Sequence, residues 1–283
     1  MKFLNALSAK VAERNARVVF PEHHEPRTAE AMRFLDRDGL CVPITLGEDT
    51  ERYVQALIET RGMKEAIARR LVGKPLYRAA AMVAAGEADA MVAGAEAPTR
   101  RVIEAASMAI GLAEGVSLPS SFFLMNFPDN RSLIFADCGL NVAPDAQTLA
   151  AIARASAQSA EVLLGEAKLA LLSFSTGTSG AGASVDIVRE AAEITGFLGP
   201  VQGDAALIPD VAQRKGAGAG DANVLVFPSL DAGNIAYKLA VALAGAQALG
   251  PILQGFAKPV CDLSRGASVQ DIVDATVVSL ALG

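Results

Sequence analysis

Tryptophan is missing from this chain of 283 residues, and aromatic side chains make up only 5% of it. Platforms that stack single-stranded bases need aromatics, so that class of partner is disfavoured. A basic block is missing too. The 25 Lys and Arg are outnumbered by 31 Asp and Glu, for a formal charge of -6, and no nucleic-acid partner is expected. Histidine and cysteine are scarce: His23 and His24, with Cys41, Cys138 and Cys261, are the whole supply. The cysteines lie far apart and form no C-x-x-C pair, which argues against a zinc site. No metal is expected, and reduced thiols in a cytoplasmic protein are the simple reading. Nothing approaches ~20 uninterrupted apolar residues, so no membrane span is expected. The first ten residues are too weakly apolar for a signal peptide.

What is present is a 52% hydrophobic composition, enough for one large or two medium α/β domains. Short β-rich runs alternate with amphipathic stretches. Strands are expected at 17–20, 41–46, 89–93, 168–174, 223–227 and 251–254. A strand pair at 121–127 and 131–136 flanks the turn Pro128-Asp129-Asn130. Helices are expected over 26–37, 145–164, 184–195, 233–245 and 269–282 and from about Thr99. Further helical pieces run from Thr50 to Gly86, with breaks near Gly62 and Gly73. Such alternation means a mostly parallel sheet covered by helices on both faces. The stretch 215–221, rich in Gly and Ala, reads as a flexible connection. Gly115 and Gly250 are plausible crossing points, giving one domain from 1–115 with 251–283 and another from 116–250.

Two segments could carry chemistry. The first, Ser173-Phe174-Ser175-Thr176-Gly177-Thr178-Ser179-Gly180-Ala181-Gly182, follows a predicted strand and precedes a predicted helix. Backbone N–H groups at a helix start, with hydroxyls beside them, can bind phosphate. The segment is neither a P-loop, since no Lys follows the glycines, nor a dinucleotide fingerprint. A turn capped by Ser and Thr accounts for it equally well. The second, Asp262-Leu263-Ser264-Arg265-Gly266-Ala267-Ser268, follows a strand and opens the last helix, where open α/β sheets place ligands. Arg265 could grip an acyl phosphate or carboxylate with two parallel hydrogen bonds. An ordinary loop is the competing reading. Asp271 fits a capping box with Ser268, which alone would justify an acid there. Asp137, Asn141, Asp204 and Asn234 suit caps or buried hydrogen bonds at least as well as substrate contacts.

In their order along the chain these blocks resemble the phosphate acetyltransferase and phosphate butyryltransferase family. The resemblance is strongest from Phe135 onward. It includes Phe135-Ala136-Asp137-Cys138, the 171–180 segment, Phe227-Pro228-Ser229-Leu230, Gly233-Asn234-Ile235-Ala236-Tyr237-Lys238, Gly250-Pro251-Ile252-Leu253-Gln254-Gly255 and Asp262-Leu263-Ser264-Arg265-Gly266. It implies two three-layer α/β domains with a mostly parallel sheet and an interdomain cleft, in the isocitrate dehydrogenase-like fold, and a homodimer. The implied reaction is reversible acetyl transfer between acetyl phosphate and coenzyme A. Coenzyme A is a substrate there, and no cofactor is held permanently. The family's catalytic aspartate falls on Asp271, and the serine and arginine beside the acyl phosphate fall on Ser264 and Arg265. Arg27 and Asn234 join Ser175, Thr176, Gly177, Thr178, Ser179 and Gly180 as expected substrate or phosphate contacts.

The chain departs from the family pattern in places. Glu104 and Ala242 stand where the family carries arginines, and Arg61 is the nearest candidate for another. These changes bear on coenzyme A affinity and acyl choice. A longer acyl substrate, or a non-catalytic protein sensing acyl phosphate or acyl-CoA, are the alternatives. The chemistry itself is thiol attack on an acyl phosphate. A thiol of pKa about 8.5 facing an ordinary aspartate near 3.9 leaves a mismatch of roughly 4.6 units, or about 6 kcal/mol. The aspartate must therefore be made more basic by desolvation, or the thiolate must be stabilised nearby.

Overall fold

The structure is a computed structural model that describes residues 2–283. The chain forms two compact units, Met1–Pro119 with Gly250–Gly283, and Ser120–Leu249.

The first unit begins α1 (Lys2–Ala12), β1 (Arg17–Val19), α2 (Pro26–Arg37), β2 (Val42–Ile44), α3 (Thr50–Arg61), α4 (Glu65–Val72), α5 (Pro75–Ala84), β3 (Ala90–Ala93) and α6 (Thr99–Ala105). Local chemistry sets these boundaries. Pro26 opens α2, whose first turn is capped by Glu25 accepting from the Thr28 N–H. Asp49 caps α3, which stops where Gly62 turns left-handed at φ 61°. The breaks expected at Gly62 and Gly73 separate α3, α4 and α5. A π-helical turn (Ala106–Ile110) prolongs α6, which sequence reading missed.

The second unit holds β4 (Ser120–Asn126), β5 (Ser132–Ala136), α7 (Ala146–Leu164), β6 (Leu169–Leu172), α8 (Ala183–Thr195), β7 (Leu198–Val201), α9 (Gly203–Leu207), α10 (Pro209–Lys215), β8 (Val224–Val226) and α11 (Leu230–Ala244). β9 (Gln247–Gln254) then returns the chain to the first unit, which closes with β10 (Val260–Asp262) and α12 (Val269–Ala281). α11 starts at Leu230 rather than Gly233 because the Ser229 side chain accepts from the Ala232 N–H. The stretch 215–221 is not the loose connection expected. Ala217 is buried, and a Cβ on Gly220 (φ +72°) would stand 2.6 Å from the Ile208 and Pro209 backbone. Glycine there permits close packing as well as a turn.

In the first unit β2, β1, β3 and β10 lie side by side and parallel, and β9 runs antiparallel beside β10. In the second the order is β4-β5-β8-β6-β7, with an antiparallel β4–β5 hairpin and the rest parallel. β3, β6 and β8 are buried along their length, as strands covered on both faces are. One core gathers Tyr53, Leu57, Met82 and Met91, the other Phe123, Phe135, Leu225 and Phe227. Because β1, β3 and β10 are parallel neighbours, the loops leaving their carboxyl ends share one edge of the first unit. The loops after β5, β8, β6 and β7 do the same in the second. These are the ligand-binding edges of open α/β sheets.

Candidate active site

Ser264 and Arg265 are both exposed, in the turn between β10 and α12. The Ser264 hydroxyl accepts from the Gly266 N–H at 3.3 Å, and the Ser264 carbonyl accepts from Ala267 N–H at 2.9 Å, which closes the turn. Arg27, at the start of α2, meets this turn. Its Nη1 donates to the carbonyls of Arg265 (2.9 Å) and Ala267 (2.7 Å), while its Nε donates to Glu25 at 2.7 Å. Arg27 thus ties the turn to α2 through backbone carbonyls.

Asp271 sits in the first turn of α12, and the capping box read from the sequence is formed. Its Oδ2 accepts from the Ser268 N–H (3.0 Å) and hydroxyl (2.8 Å), and its own N–H donates to Ser268 Oγ (3.2 Å). The structure brings Ser264, Arg265, Arg27 and Asp271 to one end of the first unit's sheet.

The loop 175–180 lies where expected, between β6 and α8. Its own hydroxyls occupy much of the expected phosphate cradle. Gly180 N–H donates to Ser175 Oγ (2.8 Å), Thr176 N–H to Ser179 Oγ (3.0 Å) and Ser175 N–H to Ser173 Oγ (3.2 Å). Gly177 N–H donates to the Pro200 carbonyl and Ser179 N–H to the Thr176 carbonyl. The Thr176 hydroxyl lies 3.1 Å from Gln202 Oε1. An anion binding through these N–H groups must displace serine hydroxyls, while the exposed Thr178 and Ser179 side chains can meet it directly. The Asn234 amide donates to the Cys138 carbonyl at 3.1 Å.

Two buried acids prove central to the geometry: Glu22, given no role from sequence, and Asp137, for which buried hydrogen bonds were an expected role. Glu22, 7% exposed, accepts four backbone N–H groups: Gly94 and Ala95 on Oε2 (both 2.8 Å), Glu96 and Ala97 on Oε1 (3.3 and 2.7 Å). It clasps the loop after β3 to the loop after β1. Asp137 does the same after β5, accepting from the Gly139, Leu140 and Asn141 N–H groups, the Asn141 amide and the Ser121 hydroxyl. Asp137 directly follows β5 and Glu22 comes three residues after β1, and that position just past a strand is the local signal that could have flagged Glu22. At the positions of altered family arginines, Glu104 pairs with Arg101 at 3.2 Å. Arg61 donates to the Ser107 and Met108 carbonyls of the π-helical turn. Among the described residues no group of three or more His, Cys, Asp or Glu is placed to hold a metal ion.

Parallel α/β units with loops gathered at strand carboxyl ends define a class, and solved structures narrow it. A protein described as a 4-hydroxythreonine-4-phosphate dehydrogenase, from Salmonella typhimurium, has the same isocitrate dehydrogenase-like fold. It is 13% identical with a TM-score of 0.54, over 95% of this chain and 100% of that one. A phosphotransacetylase from Streptococcus pyogenes superposes with a TM-score of 0.93 at 36% identity, covering 99% of this chain and 97% of that one. The phosphate acetyltransferase of Thermoanaerobacterium thermosaccharolyticum is 37% identical over 97% of both chains. The family model for phosphate acetyl/butaryl transferases matches residues 48–280, and the chain belongs to that family. It is an acyltransferase homologue along nearly its whole length.

Proposed function

We propose that the protein is a phosphate acetyltransferase, transferring acetyl reversibly between acetyl phosphate and coenzyme A by direct attack of the thiol. The observation that carries this reading is the β10–α12 turn. It presents Ser264 and Arg265 exposed at the carboxyl end of a parallel strand, with Asp271 following in the first turn of α12. Arg265 and Ser264 hold the acyl phosphate and stabilise the charge that develops on its carbonyl oxygen. Asp271 takes the thiol proton, and partial desolvation on substrate binding makes it the stronger base that step needs. The hydroxyls of Thr178 and Ser179 receive the phosphate, with Arg27 keeping the Arg265 turn in place. No covalent enzyme intermediate is required. The two compact units are the two domains of this enzyme, and coenzyme A, acetyl phosphate and phosphate are its small-molecule partners. Among the described residues no helix is long and apolar enough to cross a membrane. The three buried free cysteines suit a reducing cytoplasm.

The same reading includes a homodimer. α11 leaves Ile235, Leu239, Val241 and Leu243 exposed, the last at 82%. From Leu239 to Gly245 the helix end has no charge, so a second copy can meet it about a twofold axis without confronting like charges. Turnover of acetyl phosphate with coenzyme A by the purified protein, inhibited by inorganic phosphate in competition with acetyl phosphate, tests the assignment. No turnover with any short acyl phosphate sinks it in favour of a binding protein.

A further inference from the structure

We propose that Asp262 is a positioning residue for acyl transfer: as a neutral carboxylic acid it seats the turn bearing Ser264 and Arg265, and its ionisation unseats that turn. The inference rests on the assignment of Ser264 and Arg265 above, but its evidence is separate.

Asp262 is the last residue of β10, is fully buried, and lies two residues before Ser264. Neither of its carboxyl oxygens has a donor in good hydrogen-bond geometry. Its neighbour is the backbone of Gly94, at φ +109°. A Cβ built there would stand 2.5 Å from Asp262 Oδ1, 2.6 Å from the Leu263 nitrogen and 2.7 Å from the Leu263 oxygen. The Leu263 N–H donates to the Ala93 carbonyl at 2.7 Å. Asp262, Gly94 and the first peptide of the turn are therefore packed as one block. On the Gly94 N–H is the Glu22 carboxylate, at 2.8 Å.

Two acids thus serve one loop with opposite provision. Glu22 has four N–H donors and suits an anion. Asp262 has no N–H donor, only the Thr99 side chain outside good hydrogen-bond geometry, and suits an acid. A buried charge without donors is strongly disfavoured, and a second negative charge close by adds to the cost. Burial pushes the Asp262 carboxyl up to about 7; the side chain of Thr99 at the start of α6 pulls it down, and the Glu22 charge adds a smaller push upward.

On α6, which packs against β10, Arg100 is exposed and Arg101 pairs with Glu104; Cys261, Glu96, Asp271, Asp274 and Arg27 are each occupied or neutral. Cys261, on the same strand, is held as a thiol, its pKa raised by burial to about 12. Glu96, in the loop after β3, pairs with His24 at 2.9 Å. On α12, Asp271 is engaged by Ser268 and Asp274 accepts from Gln270 at 2.8 Å. The Arg27 guanidinium is directed to Glu25 and to the carbonyls of the turn. Among the described residues no cation is hydrogen-bonded or ion-paired to Asp262, so ionisation must draw in water or pull donors from the turn.

Asp262→Asn keeps the shape and abolishes the charge. The test measures kcat/KM for acetyl transfer by variant and parent across neutral pH. It also follows amide hydrogen exchange in the 261–268 segment of both, corrected for intrinsic rates. Taking the ratio of variant to parent removes the pH dependence of the thiol. The ratio is expected near one at about pH 6 and about tenfold in favour of the variant at about pH 8, the consequence of one group titrating near 7. Exchange in the segment should rise with pH in the parent and stay level in the variant. A ratio that is flat with pH, in folded proteins, overturns the proposal. So does equal pH dependence of exchange. A parent without acetyl transfer defeats the functional reading instead, and the exchange measurement then still decides the role of Asp262. If Asp262→Asn fails to fold, the infrared carboxyl band of the parent decides: loss of the protonated band below about pH 5 refutes it.

Discussion

Replacing Asp271 by Asn separates the two roles that the β10–α12 turn assigns to one side chain. As a cap, Asp271 accepts two hydrogen bonds from Ser268 on a single oxygen and donates its N–H to Ser268 Oγ. Asn keeps an oxygen in that position, so all three bonds can survive, and only the charge at the helix N-terminus is lost. That charge contributes about 0.3–1 kcal/mol. In a chain of this size the loss lowers the melting temperature by roughly 2 °C. As a base, Asp271 has no replacement in Asn, which cannot take a proton. Turnover should fall by ~10²–10⁴-fold near pH 7. The loss should shrink toward high pH, where coenzyme A brings its own thiolate. Steady-state acetyl transfer with parallel thermal melts measures both. Equal turnover of Asp271→Asn and parent at neutral pH, with both folded, refutes the catalytic role and leaves Asp271 as a cap. A large loss that does not change with pH refutes proton transfer as its cause.

Three further outcomes follow from the same geometry. Arg265→Lys keeps the charge but loses the two-pronged grip, so a defect of at least ~10-fold in kcat/KM should persist at every pH, unlike that of Asp271→Asn. Glu22→Gln places an amide donor against two of the four N–H groups that Glu22 now receives, and urea unfolding should show a loss of about 1–3 kcal/mol. Leu243→Glu charges the exposed end of α11 and should turn a dimer into a monomer by sedimentation without unfolding the chain. A parent that sediments as a monomer removes the dimer proposal.

Much was settled by local pattern in the sequence. Parallel strands covered on both faces must be apolar throughout, and 90–93, 169–172 and 224–226 announced themselves that way. Several helix limits were equally legible from a cap or a left-handed glycine, as at Asp145, Gly62 and the Ser268–Asp271 capping box, though the Ser229 cap of α11 was not. The ordered blocks that resemble the acyltransferase family also sat in the chain itself, and picked out Ser264 and Arg265 on the turn before the last helix and Asp271 in that helix's first turn.

Tertiary structure decided what depends on partners distant in sequence. The 175–180 loop read equally as a phosphate cradle or as a turn capped by Ser and Thr, and in the fold its own hydroxyls and the Pro200 carbonyl fill much of the cradle. Arg27 read as a substrate contact, and its guanidinium lies on carbonyls 238 and 240 residues away. No local pattern distinguishes Glu22 from Asp262, two acids just past or at the end of a strand. One finds four backbone N–H donors and the other no N–H donor, because only folding sets the loop after β3 between them. Propensity and caps act within a few residues and can be read along the chain. The protonation and hydrogen bonding of a buried polar group depend on whatever the fold packs against it.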